Sequence, residues 1–238
     1  MSATAAIRAG ARMAAAKILN RRAAGVVAVA LATTLALAIV ERRMSPSHAS
    51  DRALASTFRL VVPVVTFGLS QLAIGTTNLR DATWPAARFG MPRAFVAVGL
   101  VAGGAIAAAL ASLVCALVAV VATRAGVSVH DATTASFGAD ALTSSWIGGL
   151  VGAAYAALFG LGATIGKRGG VRVWLLTADF LVGNVGALGV VFPRGGAYNL
   201  IGLEAPLDLS QRAASALLVG SMLVYGALVA AQCARAPR

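Results

Sequence analysis

Charge is scarce in this chain. Only 12% of its 238 residues are charged, and only eight are acidic. A soluble domain carries about one quarter charged residues, so folding in water would leave too little polar surface to cover this chain. Cysteine is nearly absent. Cys115 lies inside an apolar run and Cys233 near the C-terminal end, and neither has a CxxC partner or a nearby histidine. Neither a disulfide framework nor a zinc pattern is therefore written in the spacing. There are two histidines, His48 and His130, far apart in the chain. The sequence contains no HExxH, no GxSxG and no GxxxxGK followed by Ser or Thr. Those gaps exclude a zincin helix, a serine nucleophile elbow and a phosphate-cradling loop of the usual kind. Alternating ten-residue patterns, the mark of a membrane barrel, are missing too.

What the chain does contain is apolar: 59% of residues are hydrophobic and the mean hydropathy is +0.83. The simplest solvent for such a composition is a bilayer, whose hydrocarbon core of about 30 Å needs about 20 apolar residues per helix. Six apolar stretches can be marked, at 23–41, 58–77, 94–123, 145–166, 172–192 and 213–233. Backbone groups in lipid must be satisfied within the segment, so each is expected to be a helix. The expected fold class is an all-α integral membrane protein with a six-helix domain over 23–238. The third stretch is too long for a simple span and must tilt or project beyond the membrane, with Gly103-Gly104 as a place to bend. Pro63 is expected to kink the second span. Small residues recur four apart at Gly99–Gly103, Gly148–Gly152 and Gly162–Gly166, a spacing that lets helix backbones approach closely.

The net charge is +12. The basic residues flank apolar spans and are not interleaved with stacking aromatics, so they speak for topology and anionic headgroups rather than nucleic acid. With the N-terminus inside, thirteen of the 20 Lys and Arg residues fall on the inner side. These include Arg8, Arg12, Lys17, Arg21, Arg22, Arg80, Arg88, Arg93 and Arg172. The other seven, among them Arg42, Arg43, Arg59, Arg124 and Arg194, fall outside. That bias predicts an even number of spans with both termini on the cytoplasmic side; the expected location is a bacterial inner membrane. Residues 1–22 combine five basic positions with Ile7, Met13, Ile18 and Leu19, a composition suited to a helix lying on the inner leaflet. The apolar run that follows is longer than a signal-peptide core, so residues 1–22 are read as an uncleaved anchor.

Few polar groups enter the spans. Asp179 lies about seven residues into the fifth, and an intramembrane acid is by default a functional candidate. It is the centre of a proton-linked carrier, or a structural partner of a nearby inner-side arginine such as Arg172, or a group that reaches the interface. Ser70, Gln71 and Asn184 are placed to hydrogen-bond between helices. His130-Asp131, beside Asp140, is read as a solvated loop; a membrane-embedded enzyme or assembly factor using it is the remaining alternative.

The segment NLRDATWPAARFGMPRAF, residues 78–95, breaks the apolar pattern with Arg80, Asp81, Arg88, Arg93 and two prolines. Pro85 and Pro92 are expected to leave a short element around Ala86–Gly90. Trp84, Phe89 and Phe95 suit an interface, and the arginines suit headgroups or an acidic partner. A plain connection could be about four residues long; this one is far longer and carries both aromatics and charge, as a docking surface would.

The layout resembles the membrane subunits of type-2 ATP-binding-cassette (ABC) exporters. Arg80-Asp81-Ala82-Thr83 and Met91-Pro92-Arg93 look like the borders of that family's coupling loop between spans two and three, although Ala82 stands where Gly is common. PRGGAYNLIGLEAPLDLSQ, residues 193–211, is similar to the family's re-entrant outer hairpin before the last span. The resemblance implies a transport subunit with no catalytic, metal or cofactor site of its own. A separate ATPase subunit holding ATP and Mg would dock on 78–93 through Arg80, Asp81, Thr83, Trp84, Arg88 and Arg93. A second copy, or a related permease, would complete the path.

Overall fold

The computed structural model describes residues 2–124, 136–166, 168–183, 185–203, 205 and 207–235. His130, Asp131, Asn184 and Pro206 lie outside the described residues. The fold is all helical, with no strand among the described residues. Helix α1 spans Ala3–Ile18 and α2 Arg21–Met44, with Ser2 and Asn20 as side-chain N-caps. After a 3-10 turn at Pro46–His48 come α3 (Ala49–Ser56), a π turn (Thr57–Val61) and α4 (Val62–Ile74). Two short helices, α5 (Leu79–Ala82) and α6 (Trp84–Ala87), lead to α7 (Arg93–Arg124) and α8 (Phe137–Gly162). Helices α9 (Val171–Val182) and α10 (Pro193–Leu200) precede α11 (Gln211–Ala234).

Among the described residues, five helical stretches are long and apolar enough to cross a membrane: Arg21–Met44, Pro46–Ile74, Arg93–Arg124, Phe137–Gly162 and Gln211–Ala234. Helix α8 is the enclosed centre, while α2 and α11 leave most of their surface bare. The expected fifth span, 172–192, is not one helix. Helix α9 has 12 residues, about 18 Å of rise against a core of about 30 Å. It ends at Gly183, and a 3-10 turn at Gly186–Val190 follows.

The end of the bundle to which each segment belongs follows from its contacts. Lys17 Nζ donates to the Ile74 carbonyl (3.4 Å). The Asn78 side-chain amide donates to the Thr164 and Gly166 carbonyls (3.1 and 2.7 Å). Arg80 Nη2 donates to Gln232 Oε1 (3.2 Å). The end of α1, the 75–93 segment, the α8–α9 turn and the end of α11 therefore share one end. At the other, Arg42 donates to the Ala122 carbonyl and Arg124 pairs with Asp140 at 2.7 Å.

Helix α7 is the hub. Its 32 residues rise about 48 Å, and the helix continues unbroken through Gly103-Gly104. These glycines serve contacts: a Cβ on Gly103 would meet Ala14 Cβ at 2.8 Å, and one on Gly104 would lie 3.5 Å from Ala73 Cβ. Because α4 ends beside residue 104, the first three turns of α7 project past it. Residues 104–124 then span about 30 Å, one membrane thickness. Helix α1 packs along the projecting turns. A Cβ on Gly99 would lie 2.0 Å from the Ile7 carbonyl oxygen, and one on Gly10 would lie 2.1 Å from that of Val96. The pair Gly148–Gly152 seats α8 on α7 in the same way, against the Ser112 and Ala108 carbonyls. In the third pair, Gly162 faces α9, but Gly166 is a turn residue with φ +83°.

Pro63 acts one turn earlier than expected of a simple kink. The chain departs from α-helical bonding at the π turn 57–61, and Pro63 begins the regular helix beyond it.

Candidate functional site

Two places gather the polar chemistry of the fold. The first is the 78–93 segment. Asn78 caps α5 by accepting from the Arg80 amide (2.9 Å), while the Leu79 amide donates to the Ala163 carbonyl (2.9 Å). Pro85 falls in the first turn of α6, where its missing N–H costs nothing. It therefore starts a helix, and the short element lies at Trp84–Ala87 instead of Ala86–Gly90. The expected docking residues divide into two groups. Thr83 is buried and donates to the Arg80 carbonyl (2.7 Å), and Arg80 reaches α11 through Gln232. Arg80 thus ties the segment to the bundle, and Thr83 closes the turn within it. Asp81, Trp84, Arg88 and Phe89 are exposed, Trp84 by 54%. Arg93 stacks its guanidinium 5.1 Å from the Trp84 ring centroid and so fixes the indole at the surface.

Beneath the segment, Leu79, Ala82 and Ala86 join Ala6 and Ala14 of α1, Val96 and Leu100 of α7, and Val229 and Cys233 of α11 in one apolar cluster. Arg172, itself buried, braces the preceding turn by donating to the Gly75 and Thr77 carbonyls (3.0 and 3.4 Å).

The second place surrounds Asp179. Its partner is Arg194, whose Nη2 donates to Asp179 Oδ2 at 2.7 Å, with side-chain exposures of 3% and 0%. Tyr155 of α8 donates to the same oxygen at 3.0 Å. The expectation of Arg172 as partner is thus corrected: Arg172 points to turn carbonyls near the start of α9, two helical turns from Asp179. Arg194, expected on the outer side within the 193–211 hairpin, is buried at the start of α10, with Phe180 against its guanidinium at 5.4 Å. Arg194 Nη2 also lies 3.3 Å from the Arg59 carbonyl. That carbonyl is the one Pro63, lacking an N–H, cannot bond in a regular helix. The acid, the cation and the proline-freed carbonyl form one network joining α3–α4, α8, α9 and α10. Asp179 Oδ1 and Arg194 Nε have no hydrogen-bond partner among the described residues.

Asp140, the third member of the solvated loop read from sequence, is tied to Arg124. No cluster of three or more His, Cys, Asp or Glu side chains that could hold a metal occurs among the described residues.

The described residues form an all-helical fold with five helical stretches suited to crossing a membrane. Comparison with protein families, curated proteins and solved structures finds no match.

Proposed function

We propose that this chain is the membrane subunit of an ABC transporter of the exporting kind, resident in a bacterial inner membrane with both termini in the cytoplasm. Residues 78–93 receive a separate ATPase subunit that carries ATP and Mg. The observation that carries this reading is the division of labour within that segment: Arg80 ties it to α11 and the buried Thr83 closes its own turn, while Asp81, Trp84 and Arg88 face outward. A surface of this kind can be pushed without deforming, because α1, α7 and α11 all contribute to the cluster behind it.

Six crossings complete the reading, with α9 and the 183–192 turn making the fifth. The buried α10 then acts as the first limb of a re-entrant hairpin over 193–211. Irregular backbone at membrane depth is tolerated where protein encloses it, and α10 is packed against α8 and α11. The bare faces of α2 and α11 supply the surfaces for lipid and for a second copy or a related permease. ATP acts on the partner, and its differential affinity for two ATPase arrangements biases the membrane part through the loop.

The test is co-purification of the chain with an ATPase encoded beside it, followed by ATPase and transport assays in vesicles. Asp81→Ala and Arg88→Ala are expected to separate hydrolysis from transport while the membrane part stays folded. Unchanged coupling in both variants would remove the segment from the mechanism.

A further inference from the structure

At the elbow between α1 and α2 the surface opens into an apolar groove of about 770 Å³. Its walls come from α2, α4 and α7, with Val27, Leu69, Leu110 and Val114 along its length and Leu19 and Arg21 at one end. The groove has a definite level in the bundle. Lys17 reaches the Ile74 carbonyl, and Ala73 lies against Gly104. The elbow therefore sits where α7 passes from its projecting turns into the stretch that matches one membrane thickness. From there the groove runs inward: Arg21 to Val27 is about 9 Å of helix, and Ala107 to Val114 is about 10 Å. Its charged end lies at headgroup depth and its apolar length at acyl-chain depth.

The charge at the mouth has one sign. No acidic residue occurs among the first 40 positions. Arg21, which lines the mouth, and Arg22, the next residue along α2, are both exposed and form no ion pair or side-chain hydrogen bond among the described residues. Lys17, half-buried, is engaged by the Ile74 carbonyl. The mouth also holds the N-terminal end of α2, whose dipole favours an anion. Leu19, Leu110 and Val114 remain exposed along the walls, and the groove is large enough for a ligand of lipid-chain bulk.

From this geometry we infer that the groove is a site for one anionic phospholipid of the surrounding leaflet, its phosphate held by Arg21 and Arg22 and one acyl chain laid between α2, α4 and α7. An acyl chain gains little by leaving bilayer for groove, since both are apolar. Selectivity therefore comes from the arginines and from the fit of the chain. Basic pockets between membrane helices recognise anionic headgroups in this manner. The bound lipid wedges the elbow and so sets the angle between α1, which backs the 78–93 segment, and the membrane bundle. The site requires only that the chain lies in lipid and stands apart from the transporter reading.

Native mass spectrometry of the full-length protein tests the inference, with phosphatidylglycerol or phosphatidylcholine supplied in the same detergent. Phosphatidylglycerol is expected to be retained about 25-fold better, taking roughly fivefold for each of the two arginines. Arg21→Gln with Arg22→Gln should abolish that preference, whereas Arg8→Gln with Arg12→Gln removes equal charge elsewhere and should leave it within twofold. Ala24→Trp, which fills the groove from its lining, should lower retention of both lipids. Equal retention of the two lipids by the wild-type protein would overturn the proposal. So would a preference that survives Arg21→Gln/Arg22→Gln or a groove-filling variant that retains lipid normally. Cross-linking of Ala24→Cys between two copies in native membranes would equally overturn it, because a protein helix would then occupy the groove.

Discussion

Arg194 and Asp179 meet at 2.7 Å in the interior, although 15 residues and a broken helix separate them. Removing one partner leaves an uncompensated buried charge, which costs about 3–5 kcal/mol. Asp179→Ala or Arg194→Ala is therefore expected to lower the thermal midpoint in detergent sharply. The paired change Asp179→Leu with Arg194→Met should recover much of the loss, since replacing both charges avoids the orphan. A further variant, Asp179→Asn, separates two roles for Asp179. A well-assembled Asp179→Asn protein that fails only in transport would speak for the proton-linked carrier instead.

Tyr155 supplies the second hydrogen bond to Asp179 Oδ2. Tyr155→Phe keeps the ring that stacks on Phe159 at 5.9 Å and contacts the same core. It should cost about 1.5–3 kcal/mol, the range for a hydrogen bond to a charged group. Unfolding measured in detergent should place it between wild type and Asp179→Ala. A loss as large as that of Asp179→Ala would mean that the phenol, and not the guanidinium, holds the carboxylate.

Gly99 touches the backbone of α1. Gly99→Leu is expected to lift α1 from α7 at a cost of about 1–3 kcal/mol or more, as overpacking does. Trypsin cleavage at Arg8 and Arg12 should then accelerate. Gly25→Leu, at a position with nothing within 4 Å, is the control and should cleave as wild type.

Arg172 joins the 75–77 turn to the start of α9. Arg172→Met keeps the stem and removes the donors. Hydrogen exchange in residues 75–93 should rise by about tenfold, while α8 stays protected. Uniform protection across both regions would show that the apolar cluster beneath the segment is sufficient.

Much of the helical plan was legible because apolar runs of membrane length announce themselves by composition alone. The 78–93 segment stood out for the opposite reason, as charge and proline between two such runs. The small-residue spacing at Gly99–Gly103 and Gly148–Gly152 pointed to close contacts, though not to which helices would meet. The partner of Asp179 was not legible. Periodicity ranks residues on one helix, and by that measure Arg172 is near. Arg194 returns only because the chain breaks at Gly183 and α10 folds inward. The available signal was an arginine in an otherwise apolar stretch, Arg194 within 193–203, standing opposite a lone intramembrane acid. The break at Gly183 was hidden as well, since hydropathy does not distinguish a continuous helix from a 12-residue helix followed by a tight turn.

The seat of α1 on α7 also bears on how the molecule is made. The carbonyls and glycines that grip residues 7–14 belong to 96–103, roughly 90 residues further along the nascent chain. At about 5–20 residues per second, the ribosome needs roughly 4–18 s to deliver them. During that interval the basic N-terminal segment has α4 but not its main partner α7, and its arginines suit a lipid surface while it waits. Completion of the third long helix is then the event that turns a peripheral segment into part of the tertiary structure.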